Sequence, residues 1–216
     1  GPGTAEALKS IGLIYYFQGN FADALIQWQR AQVAYEKNGN ATGVANILSN
    51  MGAIYHNQSE YGKAIDLYLQ SLHIAEKIGD TIRVGTVLQN IGAVHLEKGE
   101  AELALEAYQK VLPLFEALNY AEGIGLAYLN IGEIYFEKDD FDQSIFYLKK
   151  AIPHLEPTPY YPTLLRSIGE VILKNSNFED GMPFLDSAYN VANRSGDEFE
   201  LARILNAIAT AHEKRG

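Results

Sequence analysis

Hydrophobic and polar residues follow one another along this chain with the period of an amphipathic helix. Near the start, Leu8, Ile11 and Tyr15 are spaced as i, i+3 and i+7, which places their side chains on one face of a helix. The same spacing returns from Leu48 and again from Leu88. The pattern predicts a chain made of repeated helices.

A glycine marks each copy of this first helix. The six equivalent positions, of which the last holds alanine, are Gly12, Gly52, Gly92, Gly132, Gly169 and Ala209. They are separated by forty residues, except for a step of thirty-seven before the fifth position. Self-similarity at a fixed period of this size is the signature of stacked helical repeats.

A second helix is predicted after each first helix. Its four clearest versions align without gaps and cover residues 21–31, 61–71, 101–111 and 141–151. In the first version a small residue, Ala24, stands four positions before a large one, Trp28. The small residue lets two helix backbones approach, and the large one fills the gap beside the glycine. The pattern predicts antiparallel helix pairs, whose second helices end at left-handed Gly39, Gly79 and Gly196.

These residues resemble the tetratricopeptide repeat, in the branch with a long, forty-residue period that includes spindle-orientation adaptors, kinesin light chains and bacterial signalling proteins. The resemblance covers residues 5–216 and implies an all-α fold, a right-handed α-solenoid of five antiparallel helix pairs plus one extra C-terminal helix. The expected repeats span residues 5–40, 41–80, 81–120, 121–158 and 159–197, followed by a terminal helix at 198–214. Residues 1–4 are expected to be a leader, because GPG is typical of a protease-cleavage scar.

The fourth and fifth repeats depart from this pattern. Three prolines within residues 156–162 are expected to break the helix and shorten the period. In the fifth repeat Gly181 replaces the small alanine and Pro183 lies inside the second helix, so we expect irregular structure there. Pro113 and Pro153 are expected to bend their helices. Because the sequence stops where earlier repeats make their turn, we expect it to be part of a longer protein.

Asparagine recurs at one position of the first helix, as Asn50, Asn90 and Asn130. Because asparagine is a mediocre helix former, its repetition at this position indicates a specific role. The resemblance implies that first helices line a concave groove, where each amide can pair with the N–H and C=O of an extended peptide. Helices about 8–10 Å apart would meet such a peptide at about every third residue. In the alternative, each asparagine hydrogen-bonds to the adjacent repeat and braces the solenoid.

The resemblance also implies a wider peptide-binding groove around the three asparagines. Its further expected residues are Asn46, Ser49, His56, Asn57, Gln89, Leu129, Glu133, Phe136, Arg166 and Glu170. Most of these side chains are polar, Leu129 and Phe136 are apolar, and the expected groove is acidic around Glu133. It lacks the lysine–asparagine clamp of chaperone-binding repeats, because Leu13 stands one turn after Lys9.

Composition narrows the classes of function. A net charge of −10 disfavours nucleic acid as a partner, since binding it requires a surface rich in lysine and arginine. No apolar run reaches the roughly 20 residues of a membrane span, and we expect a cytoplasmic protein without a membrane partner. The sequence has no cysteine, which excludes disulfides and thiol chemistry. The histidines do not cluster and no catalytic motif occurs, so we expect no enzyme activity, cofactor or metal.

The sequence therefore favours a protein–protein interaction module. We expect a scaffold or sensory part of a larger signalling protein, whose groove binds a peptide segment of a partner. One alternative is a receptor for a short free peptide that regulates a separate effector domain. Another is a structural spacer that self-associates through its terminal helices.

Overall fold

A computed structural model describes residues 2–175 and 177–215, and in these residues the chain forms eleven α-helices and no strand. The helices are α1 (Pro2–Phe17), α2 (Phe21–Lys37), α3 (Ala41–Asn57), α4 (Tyr61–Ile78), α5 (Thr81–Glu97), α6 (Ala101–Ala117), α7 (Ala121–Glu137), α8 (Phe141–Leu155), α9 (Tyr161–Lys174), α10 (Phe178–Ser195) and α11 (Glu198–Arg215). The predicted all-α solenoid of helix pairs with one extra helix is confirmed. None of the helices in these ranges is long and apolar enough to cross a membrane.

Helices pair in chain order. Short turns join the two members of each pair, for example residues 18–20 between α1 and α2 and residues 138–140 between α7 and α8. Such short connections make neighbouring helices antiparallel. The first helices α3, α5 and α7 begin at Ala41, Thr81 and Ala121, forty residues apart.

The contacts within the chain divide it into two compact units, Gly1–Lys110 and Val111–Gly216. Unit one contains α1 to α5 and the first part of α6, and unit two contains the remainder. In unit one the core is built on large buried side chains, among them Trp28, Tyr35, Ile47 and Ile54. In unit two the core includes Leu129, Leu148, Leu155, Leu164 and Ile168. Each unit therefore buries its own apolar faces between stacked helix pairs.

The repeated glycine is where the two helices of a pair come closest, as predicted. A Cβ atom added at Gly52 would lie 2.8 Å from Cε1 of Tyr68, and one added at Gly132 would lie 2.6 Å from Cγ of Leu148. Both large side chains are at most 1% exposed. The large residue of the second helix thus fills the space that a side chain on the first helix would need.

Second helices end in the left-handed conformation at the predicted glycines. The φ angles of Gly39, Gly79 and Gly196 are 66°, 73° and 72°. Asn119 occupies the equivalent place before α7, with a φ of 51°, which the glycine pattern did not predict. The residue after Gly39 caps the next helix, because Asn40 Oδ1 accepts a hydrogen bond from the backbone N–H of residue 43 at 2.8 Å.

The structure tests the departures from the repeat pattern separately. The proline-rich stretch follows the end of α8 as predicted, with Pro157 and Pro159 before the start of α9 and Pro162 in its first turn. By contrast, α10 is one continuous helix through Pro183, so the predicted irregularity of the fifth repeat is wrong. Gly181 is a point of close approach, since a Cβ there would lie 3.1 Å from the carbonyl oxygen of Gly169. Helix α1 begins at Pro2 and so includes residues expected to form a separate leader.

Candidate functional site

In unit one, Asn50 on α3 and Asn90 on α5 lie on neighbouring first helices. Both side chains are half-buried. Within the part of the chain that the structure describes, neither amide makes a hydrogen bond. Each amide therefore keeps a free donor and a free acceptor on a partly enclosed helix face.

Other side chains connect the neighbouring repeats of unit one. Asn57 Nδ2 donates a hydrogen bond to the Tyr16 hydroxyl at 2.9 Å. His56 Nε2 lies 3.1 Å from Glu97 Oε1 without the alignment of a hydrogen bond, and the Tyr61 hydroxyl donates to Glu97 Oε2 at 3.3 Å. The contacts of Asn57 and His56 join the last turns of successive first helices, and the contact of Tyr61 joins the start of α4 to the end of α5. Asn57, expected in the groove, is thus already hydrogen-bonded within the protein, whereas His56 lies beside a carboxylate without a hydrogen bond from Nε2.

The remaining expected residues of unit one are polar and half-buried. Asn46 accepts a hydrogen bond through Oδ1 from Arg83 Nη1, and Arg83 Nε also lies 3.0 Å from Asp80 Oδ2. Ser49 and Gln89 are half-buried, next to Asn50 and Asn90 in sequence. The two asparagines are therefore flanked by polar side chains.

In unit two the structure corrects two of the expected groove residues. Leu129 is 4% exposed and packs in the core with Leu148 and Leu164. Arg166 is 5% exposed. Neither side chain is available to line a groove. Asn130, one residue after Leu129, is half-buried and makes no hydrogen bond among the described residues.

Arg166 instead holds α9 and α11 together. Its Nε donates to Glu200 Oε1 at 2.7 Å, and its Nη1 donates to Glu170 Oε2 at 2.5 Å. Glu200 is 3% exposed, so the pair with Arg166 is buried. The Arg166 Nη2 group is also buried and has no partner in the described part of the chain.

Two carboxyl groups beside this pair have altered acidity. Burial raises the pKa of Glu133, against the opposing effects of a hydrogen bond from Ser167 Oγ and of nearby Arg166. Burial likewise raises the pKa of Glu170, although Arg166 opposes the shift. The Ser167 hydroxyl lies 2.9 Å from Glu133 Oε1 and so joins α9 to α7.

Unit two contains two adjoining cavities. The smaller has a volume of about 210 Å³ and the larger a volume of about 640 Å³. Phe136 and Glu170 line both of them. The larger cavity falls within the roughly 300–1,000 Å³ typical of ligand sites. Phe136, Glu133 and Glu170, expected in the groove, are therefore brought together around two cavities that share a wall, and the two cavities together are called the depression below.

The walls of the two cavities differ in chemistry along their length. We define the acidic end as the carboxylates of the smaller cavity, which are Glu133, Glu137 and Glu170. The apolar floor of the larger cavity is formed by Phe136, Leu173 and Phe178. The basic end of the larger cavity is formed by Lys174 and Lys214. Glu133 and Glu137 thus line only the smaller cavity and the two lysines only the larger one, while Phe136 and Glu170 are common to both.

Sequence reasoning found Phe136 but missed Leu173, Phe178 and the two lysines of the basic end, and a signal was present for three of these four. Lys174 and Lys214 occupy the register of Asn57 in their own repeats, once the shortened fifth period is counted. Leu173 likewise occupies the register of His56. Extending the registers of Asn57 and His56 to the later repeats would therefore have predicted Lys174, Lys214 and Leu173 as groove residues.

The histidines contribute no second site. His95 Nδ1 lies 2.6 Å from Glu100 Oε2, and the His212 ring packs edge-on against Phe178 at 5.4 Å. Among the described residues, no three His, Cys, Asp or Glu side chains are grouped so as to hold a metal ion.

Stacked helix pairs with exposed first-helix faces define the class of α-helical repeat proteins. The chain belongs to the tetratricopeptide repeat family, whose profile matches residues 43–117 and 83–156. These matches together span more than half of the chain. No curated protein matches the chain in sequence.

Solved structures share this fold at low sequence identity. Aspartyl phosphate phosphatase F from Bacillus subtilis superimposes with a TM-score of 0.84 at 17% identity, covering 94% of this chain and 54% of its own. A plasmid-encoded Rap conjugation gene regulator in complex with the Phr* peptide gives 0.78 at 16%, covering 89% and 54%. Kinesin light chain repeats from Podospora anserina give 0.70 at 11%, covering 91% and 98%. The chain thus spans about half of each of the two bacterial proteins.

Proposed function

We propose that this protein is a non-catalytic peptide-binding module, in which the first-helix faces bind an extended segment of a partner protein. In this proposal it is the interaction or sensory part of a larger signalling protein. In unit one the backbone of the bound segment pairs with Asn50 and Asn90, and in unit two Asn130 makes the equivalent contact.

The observation that carries the proposal is the state of the asparagine amides. An amide has two donors and an acceptor with two lone pairs, and polar groups removed from water in folded proteins are normally satisfied. Asn50 and Asn90 are half-buried on adjacent helices, and neither has a hydrogen-bond partner in the described part of the chain. Adjacent helices lie about 8–10 Å apart, which matches about three residues of extended peptide.

The solved relatives give further support at the level of the fold. One of them, the Rap conjugation gene regulator, holds the Phr* peptide. Its identity of 16% limits the likeness to the fold. The peptide bound by this chain is therefore inferred from its own side chains.

Selection from a random peptide library, followed by fluorescence anisotropy with the enriched peptides, tests the proposal. We expect the Asn50→Ala/Asn90→Ala variant to bind its peptides at least about tenfold more weakly, because each lost hydrogen bond is worth about 1 kcal/mol. Asn190→Ala is the matched control, since Asn190 is an exposed asparagine on the second helix α10. Its affinity should equal that of the wild type.

Four outcomes would contradict the proposal. The library could yield no peptide, or the enriched peptides could bind the double variant as tightly as the wild type. A lowered melting temperature with unchanged affinity would make the asparagines internal braces. Concentration-dependent oligomers that ignore the substitutions, measured by light scattering, would favour the self-associating spacer.

A further inference from the structure

We propose that the depression in unit two selects peptides by charge pattern: a basic residue at the acidic end, a large apolar residue on the apolar floor, and an acidic residue at the basic end. This inference rests on the proposed function and adds the chemical class of the ligand.

At the acidic end, negative charge exceeds the positive charge that the protein supplies. The smaller cavity is lined by the three acidic-end carboxylates and by one guanidinium group, that of Arg203. The other nearby guanidinium, Arg166, is shared between Glu170 and Glu200. Arg203 also lies 3.7 Å from Glu200. Four carboxylates therefore share two cations, and Glu137 is exposed with no partner among the described residues.

The acidity of the buried carboxyls agrees with this excess. Burial raises the pKa of Glu133 and of Glu170, which means that the protein around them does not fully compensate their negative charge. A lysine or arginine side chain of a ligand would supply the missing countercharge. Opposite charges within about 4–6 Å favour the ionised carboxylate.

At the basic end, the two lysine ammonium groups occupy the register of Asn57 and have no partner of the kind that Asn57 has. In unit one the same register is engaged: Tyr16 accepts from Asn57, and His56 approaches Glu97. In unit two, the residues that occupy the register of Tyr16 on the preceding first helices are Phe136 and Leu173, and these apolar side chains of the floor offer no acceptor. Neither Lys174 nor Lys214 makes an ion pair or hydrogen bond within the described residues.

The third cation near this end is already used. Arg215 Nη2 lies 2.9 Å from Glu179 Oε1, and the guanidinium stacks 4.3 Å from the centre of the Phe178 ring. The stacked arginine extends the wall of the larger cavity beside Phe178. The two lysines therefore remain as the free positive charges for an acidic ligand group.

The apolar floor connects the acidic end with the basic end. It therefore favours a ligand that has an apolar residue between its two charged residues. Phe136 lines both cavities, so the floor is continuous with the acidic end. Phe136, Leu173 and Phe178 are half-buried and present aromatic and aliphatic surface. A leucine or phenylalanine side chain of the ligand would cover that surface while its neighbours reach the charged ends.

The test uses a short fluorescent peptide with both ends blocked, carrying arginines at one end, a central phenylalanine–leucine pair and aspartates at the other. Two neutral versions replace the arginines by glutamine or the aspartates by asparagine. We expect each neutral version to bind about threefold to tenfold more weakly, since partly exposed ion pairs contribute modestly. The difference should shrink as the salt concentration rises.

Protein variants assign each charge to its end. Lys174→Gln/Lys214→Gln should lose the preference for aspartate over asparagine and keep the preference for arginine. Glu137→Gln, an exposed position that does not endanger folding, should reduce only the preference for arginine. Lys149→Gln and Asp186→Asn alter the net charge on exposed faces of α8 and α10 and should change neither preference.

Equal binding of the charged and neutral peptides would overturn the inference, as would an equal loss of both preferences in the lysine variant. If library peptides still bind through Asn50 and Asn90 in that case, the proposed function stands without the charge pattern. If no peptide binds by any route, the proposed function fails as well.

Discussion

Adding a single methyl group at Gly52 tests the packing of the helix pairs most directly. Gly52 lies in the middle of α3, and a Cβ atom added there would meet the Tyr68 ring on α4. We expect Gly52→Ala to lower the stability of unit one, although alanine is the better helix former.

Two opposing effects set the size of the loss. Replacing a helical glycine by alanine gains about 1 kcal/mol in helix propensity. The new Cβ would lie 2.8 Å from Tyr68 Cε1, whereas ordinary contact begins at 3.4 Å, so the ring must move by about half an ångström. Tyr68 is 1% exposed and has no free space to enter, and overpacking of this kind costs about 1–3 kcal/mol. The net loss is about 1 kcal/mol, which lowers the melting temperature by roughly 2–4 °C.

Thermal unfolding followed by far-UV circular dichroism measures this loss against a matched control. Gly62 is an exposed glycine in α4 with no atom within 4 Å of an added Cβ, so Gly62→Ala should melt at or above the wild type. Gly132→Ala should lose more than Gly52→Ala, because its Cβ would also lie 3.2 Å from the backbone nitrogen of Leu148. A Gly52→Ala protein that melts no lower than the Gly62→Ala protein would refute the packing argument.

Two further predictions concern capping and pH. Asn40→Ala should lower the free energy of unfolding, measured by chemical denaturation, by about 1 kcal/mol, because it removes a 2.8 Å hydrogen bond to the Gly43 N–H. Asn20→Ala should cost less, because Asn20 makes no side-chain cap bond. Equal losses would contradict the capping argument. The raised pKa of Glu133 means that the folded state binds its proton more tightly than the unfolded state, so stability falls as pH rises above about 4.5 towards the folded pKa. Glu133→Gln should flatten that part of the pH–stability profile measured by thermal melts, and an unchanged slope would show that burial of Glu133 does not govern it.

The fold was predictable because its determinants are local and periodic. The glycine register, the small-then-large pairs and the left-handed glycines each follow from helix geometry within one repeat, and the structure confirms them at Gly52, Gly132 and Gly79. The predicted irregularity of α10 was wrong because Gly181 was interpreted as a defect, whereas it is also a packing glycine. Gly181 and Gly169 meet at a close backbone approach, so the departure from alanine tightens the pair.

The candidate site was less predictable because register gives the direction of a side chain but not its depth. Lys9, Ser49 and Leu129 share one register, yet the first two are half-buried and Leu129 is 4% exposed, since its apolar side chain packs into the core. Arg166 has the same register and is buried because two carboxylates on α9 and α11 surround it. Such depth depends on neighbouring helices, which no single repeat encodes.

The register of the asparagines also explains why they do not brace unit one. Ser167 occupies the same register and does brace its repeat, because Glu133 on the preceding first helix offers an acceptor at 2.9 Å. The residues that would offer this acceptor to Asn50 and Asn90 are Leu13 and Ala53, and neither side chain can hydrogen-bond. The repeat thus places a polar amide opposite an apolar neighbour, which leaves the amide free for a group from outside the chain. That arrangement is what a backbone-binding position requires.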